Sequence, residues 1–306
     1  MVETSHVPVL PKEVMELLDP APGMICLDCT VGMAGHSAAL AETLGPSGRL
    51  IGLDVDPTNL AAARSRLEAV NCRVDLVHAN FAESEAVLGS LGVDRVDLVL
   101  ADVGFSSAQM DDPQRGFSFA TDGPLDMRFD RGRGGTAADL VNRLPQQQLA
   151  DLIWKNGEER LSRKIARKIV ERRSQNPILT TADLAGIVRA AYGAPRGRRS
   201  PGRRRIDPAT RTFMALRIGV NHELESLEAL LRSLPRLVRP CGRAAVISFH
   251  SLEDRLVKQT FVAFRRDEIG WPVTRKPVTA DPAEREVNPR SRSAKLRVVE
   301  LGPPPA

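Results

Sequence analysis

Residues 24–57 read MICLDCTVGMAGHSAALAETLGPSGRLIGLDVDP, and this stretch decides the fold. A short apolar run, 24–30, meets an acid at Asp28 and passes into a loop whose only glycines are Gly32 and Gly35. Leucines and alanines then recur at helical spacing before a second apolar run, 49–56, that contains Asp54. Working outward, PTNLAAARSRLEAV supplies another helical spacer, and RVDLVHANF (73–81) and RVDLVLADV (95–103) supply two more strand-like runs. This β-α-β-α-β rhythm predicts a doubly wound α/β fold with a parallel sheet. Each run ends in or near a polar residue, and in open α/β sheets ligands gather beyond the carboxyl ends of the strands.

The loop after the first run is not a dinucleotide turn, which would usually carry three glycines as G-x-G-x-x-G. Asp28, just ahead of it, would repel a pyrophosphate lying on the helix N-terminus and suits a cofactor with a cation or amine nearby. Asp54 follows Gly32 by twenty-two residues, where an acid accepts both hydroxyls of a ribose. Phe81 can flank an adenine ring, and Asp102 ends the fourth run beside the reaction space. Singly these residues read as a common turn, solvated strand-end acids and a core phenylalanine. In this order they fit S-adenosyl-L-methionine, which carries adenosine, an ammonium and a sulfonium but no phosphate.

The chain of 306 residues is 42% hydrophobic, enough for two cores. No stretch approaches the ~18 uninterrupted apolar residues of a membrane span, and MVETSHVPVL lacks the pattern of a signal peptide, so a cytoplasmic protein with no membrane partner is expected. Cys26, Cys29, Cys72 and Cys241 read as small core residues: Cys26-x-x-Cys29 lacks a second ligand pair, and a strand points residues three apart to opposite faces, so no metal site is expected. The net charge of +5 is concentrated. RGRRSPGRRR (196–205) holds six arginines, and NPRSRSAKLR (288–297) adds four basic residues. An anionic polymer is the natural partner.

From 111 to about 211 no strand pattern appears; a Gly- and Asp-rich segment is followed by charged helices. Strand-like runs return at 243–249 and 294–301. The expected organisation is a discontinuous doubly wound core, 1–110 and 215–306, interrupted by a mainly helical insertion, 111–214.

The motifs HVPVL (6–10), DCTVGMAGHS (28–37), IGLDVDP (51–57), ADVGFSSAQMD (101–111), RGFSFATDGPLDMRFD (115–130), NGEER (156–160), PATRTFMALRIGVNHEL (208–224), ISFHSLEDRLVK (247–258) and NPRSRSAKLR follow one another along nearly the whole chain. In these the sequence resembles the ribosomal RNA small subunit methyltransferase H family. The resemblance implies a class I S-adenosylmethionine methyltransferase core with an inserted substrate-recognition domain. It also implies transfer of a methyl group to N4 of a cytosine in the decoding region of 16S rRNA, with 16S rRNA or the small ribosomal subunit as partner. A non-catalytic RNA-binding assembly factor on the same fold is the alternative. A homo-oligomer is compatible with the sequence but not required by it.

The family's cofactor contacts fall on Ala34, Gly35, His36, Asp54, Phe81, Asp102 and Gln109. Asp102 is the candidate catalytic residue, with cofactor binding alone as its rival role; His36 reads as a structural or cofactor contact rather than a general base. Two departures stand out. The family's run of four glycines is interrupted by Met33 and Ala34, and an alanine at 34 is expected to remove any need for positive φ there. Phe105 replaces a smaller residue. Ser251 and Asp254 read as N-cap and third helical position of a capping box. Phe105, Phe117 and Phe119 read as base-stacking residues or loop anchors, and the arginine run with Arg290, Arg292, Lys295 and Arg297 as phosphate contacts.

Overall fold

The computed structural model describes residues 8–193 and 207–303. The arginine run 196–205, expected to hold phosphate, lies outside the described residues. The chain divides into two compact units, Met1–Gly104 with Leu224–Ala306, and Phe105–Glu223. The divisions fall after Gly104 and Glu223, where the sequence placed them after 110 and 214.

The first unit runs α1 (Pro11–Leu18), β1 (Ile25–Asp28), α2 (Gly35–Leu44), β2 (Arg49–Asp54), α3 (Pro57–Leu67), β3 (Arg73–His78), α4 (Ser84–Ser90) and β4 (Val96–Asp102). The second contributes the short α5 (Ser107–Asp111), then α6 (Ala137–Arg143), α7 (Gln146–Gly157), α8 (Ser162–Arg173), α9 (Thr181–Tyr192) and α10 (Ala209–Asn221). After α11 (Glu223–Leu237) the first unit resumes with β5 (Val238–Ser248), α12 (Ser251–Arg266), β6 (Gly270–Pro272), α13 (Pro282–Val287) and β7 (Lys295–Leu301).

The seven strands lie in the order β3-β2-β1-β4-β5-β7-β6. The first five are parallel, and β7 enters antiparallel between β5 and β6. This is the class I methyltransferase sheet. Both faces are covered, which is why the strands read as near-continuous apolar runs. Alternation along them feeds two cores: Leu27, Cys29, Ile51, Leu53, Val99 and Ala101 on one side; Cys26, Leu50, Leu98, Leu100, Ala245 and Ile247 on the other. Cys26 and Cys29 therefore enter opposite cores. Cys72 is only half-buried and Cys241 exposed, so neither is the core residue the sequence suggested.

Chain order turns back at the centre of the sheet: β1, β2 and β3 build outward one way, and β4 begins the other side of β1. The crevice beyond the carboxyl ends of β1 and β4 is the switch point at which such sheets bind ligands.

The second unit has its own core, with Leu149 and Ile153 of α7, Ile165 and Ile169 of α8, Leu184 and Val188 of α9, and Phe213 and Leu216 of α10 among its buried members. No named strand occurs among its described residues.

Candidate active site

The loop from β1 to α2 is tied down from both flanking strands. Asp102 N donates to Thr30 Oγ1 at 2.7 Å, Val31 N to the Leu53 carbonyl at 2.8 Å, and Gly32 N to Asp54 Oδ2 at 2.8 Å. Asp28 is almost fully buried and accepts from Thr30 N (3.0 Å) and from Ser37 Oγ (2.5 Å). Its role is thus to clasp the loop to the first turn of α2, which replaces the sequence reading of Asp28 as a partner for a cofactor cation. Burial raises its pKa, and these two hydrogen bonds pull against that rise. Thr30 and Ser37 were not singled out in the sequence; the signal available was a strand-end acid followed at short range by two hydroxyls.

Ala34 caps α2 in the left-handed region, at φ 59° and ψ 32°, with its side chain buried. The expectation that alanine removes positive φ here is overturned. The loop must reverse within the span from Gly32 (φ 50°) to the start of α2, and Ala34 takes the strained conformation at a cost of about 1–2 kcal/mol. The Ala34 methyl group packs into the core beside Val31 and Leu40, which offsets part of that strain. At Gly35 a Cβ would meet Pro8 side-chain atoms at 3.1–3.3 Å, so the helix start keeps a bare backbone.

Asp54 and Asp102 end neighbouring arms of the sheet and are solvated in opposite ways. Asp54 accepts Gly32 N through Oδ2 and Asp56 N (2.7 Å) through Oδ1, with Asn59 Nδ2 at 3.3–3.4 Å from both oxygens. Burial still lifts its pKa to about 6. A carboxylate offers about four lone-pair sites, and on each oxygen one of them is held only by the long Asn59 contact. Asp102 Oδ1 is buried with no hydrogen-bond partner among the described residues. Its Oδ2 lies 4.0 Å from Nε2 of the buried His36. Burial first, then the negative charges of Asp28 and Glu253, push Asp102 up to about 7, with Arg290 opposing.

Phe81 is half-buried at the start of a 3-10 turn after β3, capped by Asn80, whose side chain accepts from Ala82 N at 2.9 Å. Gln109 belongs to the helical unit, where its Oε1 accepts from Ser106 N at 2.9 Å in a capping box. The sheet unit thus brings Ala34, Gly35, His36, Asp54, Phe81 and Asp102 to the carboxyl edge of its strands; Gln109 is described within its own unit.

Other expectations change. The N-cap of α12 is His250, not Ser251: His250 Nδ1 faces Glu253 N at 3.4 Å, while Glu253 Oε2 accepts from Phe249 N and His250 N at 2.8 and 3.2 Å. Asp254 is then released from capping and holds Lys295 Nζ at 2.9 Å and Arg297 Nε at 2.7 Å, so both expected phosphate contacts are paired with an acid of the chain itself. Phe117 is buried and stacked between Phe105 (5.2 Å) and Phe129 (5.6 Å), and Phe119 packs edge-on to Phe213 at 4.7 Å. The three phenylalanines are anchors of the helical unit, with the Arg217 guanidinium 4.7 Å over Phe105, rather than open stacking platforms.

A carboxylate-rich crevice with a bare buried oxygen fits a cationic, phosphate-free cofactor and disfavours a pyrophosphate. Comparison with known proteins agrees in family. The model of the MraW methylase family matches residues 3–301. A protein of Sorangium cellulosum named Ribosomal RNA small subunit methyltransferase H is 51% identical over 95% of this chain and 89% of its own length. Proteins of the same name from Geobacter sulfurreducens and Geobacter sp. strain M21 are 49% and 46% identical, over 97% and 98% of this chain and 98% and 99% of theirs. With the sheet order, the strand-end acids and these matches together, the chain belongs to the MraW methylase family.

Proposed function

We propose that the protein is an S-adenosylmethionine-dependent methyltransferase acting on N4 of a cytosine in the decoding region of 16S rRNA. The observation that carries the reading is Asp102: a carboxylate at the switch point with one buried oxygen that no described group satisfies. Leaving such an acceptor bare costs free energy, and a donor on the incoming base would offset that cost.

When bound, the cofactor supplies a methyl group on a sulfonium, an electrophile that needs no activation by acid. The chain's residues have the harder half of the chemistry. A cytosine amine is a poor nucleophile because its lone pair is delocalised into the ring. Asp102 Oδ1 accepts an N–H of that amine, orients it, and favours the tetrahedral nitrogen from which the lone pair attacks. Formation of the N–C bond would break the methyl–sulfur bond and leave a neutral thioether, and the proton lost by the cationic nitrogen would pass to Asp102 Oδ1 and on to solvent. Asp54 accepts ribose hydroxyls, Phe81 flanks the adenine, and the backbone of Ala34, Gly35 and His36 meets the amino-acid end of the cofactor. His36 packs beside Asp102 as a positioning residue. The target base must leave its stack to reach the crevice.

Titration calorimetry with S-adenosylmethionine and with NAD tests the cofactor, and incubation with methyl-labelled cofactor and small-subunit RNA tests the transfer. Binding of the first ligand alone, with label recovered as N4-methylcytosine, is expected. Absence of S-adenosylmethionine binding at millimolar concentration sinks the reading, while binding without transfer favours the non-catalytic assembly factor.

A further inference from the structure

Helix α8 carries a face that folding does not explain. Its sequence, SRKIARKIVERR, buries Ser162, Ile165, Ala166 and Ile169. The opposite side presents Arg163, Lys164 and Arg167, all exposed, and the half-exposed Lys168. At 100° per residue these four occupy an arc of about 140°, in two i,i+4 rows with a rise of about 6 Å between partners. Each row sets like charges one turn apart, which weakens a helix. Arg163 and Lys164 also stand in the first turn, where the helix dipole disfavours cations; that turn has no acid, and the N-cap Leu161 makes no side-chain bond. The only acid within α8 is Glu171, 3.5 Å from Arg167. No ion pair joins Arg163, Lys164 or Lys168 to another described residue. A merely solvated face interleaves acids at i+4, as Arg143 with Asp139 does on α6.

We infer that this face of α8 binds the phosphodiester backbone of the RNA substrate, an inference that rests on the RNA methyltransferase reading above. The cations neutralise phosphates and position the RNA without reading its sequence. In sequence these cations are distinct from the arginine run 196–205 and from the C-terminal basic motif. It also accounts for a helix whose exposed charges oppose its own stability.

The test replaces all four residues together, Arg163→Gln, Lys164→Gln, Arg167→Gln and Lys168→Gln, with Arg163→Lys and Arg167→Lys as a charge-retaining control. Methyl transfer and direct binding to naked small-subunit RNA and to assembled subunits are followed over a salt series. The neutral variant is expected to raise KM and Kd for naked RNA roughly tenfold, and to flatten the log–log salt slope by about 0.7 for each single-strand phosphate that is no longer neutralised. The control should stay near wild type, with S-adenosylmethionine affinity unchanged and the thermal midpoint unchanged or higher. Wild-type Kd and salt slope in the neutral variant overturn the inference. So does a weakening confined to assembled subunits, which would place a protein on this face. If the wild type transfers no methyl group to any RNA, the function reading fails instead, and the binding arm still decides the surface.

Discussion

Asp54 and Asp102 occupy equivalent places, the last residues of parallel strands β2 and β4, yet their hydrogen bonding is opposite. Asp54 is a hub: two backbone amides and Asn59 converge on it and fix the glycine loop. Asp102 has a neighbour at 4.0 Å, a repulsive field from Asp28 and Glu253, and one oxygen left bare. The proposed function gives the carboxylate satisfied by its own backbone to structure and cofactor binding, and the unsatisfied one to chemistry. Position on a strand does not separate these roles; the two acids differ in local hydrogen bonding, which is the basis of the proposal.

The largest effect that can break this contrast is on turnover. Asp102→Asn keeps the shape but weakens the acceptor, and single-turnover rates are expected to fall about 10²–10³-fold, the scale of removing one preorganised transition-state interaction. Calorimetric affinity for S-adenosylmethionine should change less than tenfold. Asp54→Ala is expected to do the reverse, weakening the cofactor by more than tenfold with a smaller loss at saturation. Equal losses in both parameters for Asp102→Asn would make it a binding residue only.

The contrast is sharper in stability. Asp54→Ala leaves the Gly32 and Asp56 amides without acceptors, and a urea midpoint should report a loss of roughly 1–3 kcal/mol. Asp102→Asn removes a buried charge and is expected to stabilise the protein at pH 8 by roughly 1–3 kcal/mol. The sign follows from linkage. Asp102 has its folded-state pKa pushed up to about 7, above the unfolded value, so the folded state binds more protons through this group between about pH 4 and 7. Its contribution is fully present below pH 4 and is lost as pH rises through 7; Asp102→Asn should flatten that slope. Turnover has the opposite dependence, because only the carboxylate accepts well from the amine: kcat/KM is expected to rise with pH through about 7. A bound sulfonium and ammonium favour the carboxylate, so the kcat profile should shift to lower pH.

The smallest effect concerns Ala34. Ala34→Gly relieves the left-handed strain but forfeits a buried methyl group, so denaturation should move by less than about 1 kcal/mol in either direction. A loss of several kcal/mol would show that the methyl group, not the backbone, organises the loop.

Much of the frame was legible in the residues because it follows from local rules. Apolar runs bounded by acids marked the parallel strands, and the strand-end acids pointed to the crevice. What escaped depends on distant partners or on conformation that residue type does not report. Ala34 adopts positive φ because the loop is held from β2 and β4, not because alanine prefers it. Lys295 and Arg297 read as phosphate ligands, but Asp254, more than forty residues earlier, claims both. His250 displaced Ser251 as the cap because a histidine nitrogen can accept from a helix amide as a serine oxygen does, a choice the capping-box pattern does not encode. The three-residue β6 pairs with β7 and has too short a period to be seen in isolation.

The most direct test of the central claim is mass mapping of 16S rRNA from a strain lacking this protein, with and without the gene restored. The expected result is loss of one methyl group from N4 of a single decoding-region cytosine, recovered by the wild-type chain and not by Asp102→Asn. An unchanged methylation pattern, or full recovery by Asp102→Asn, would contradict the account.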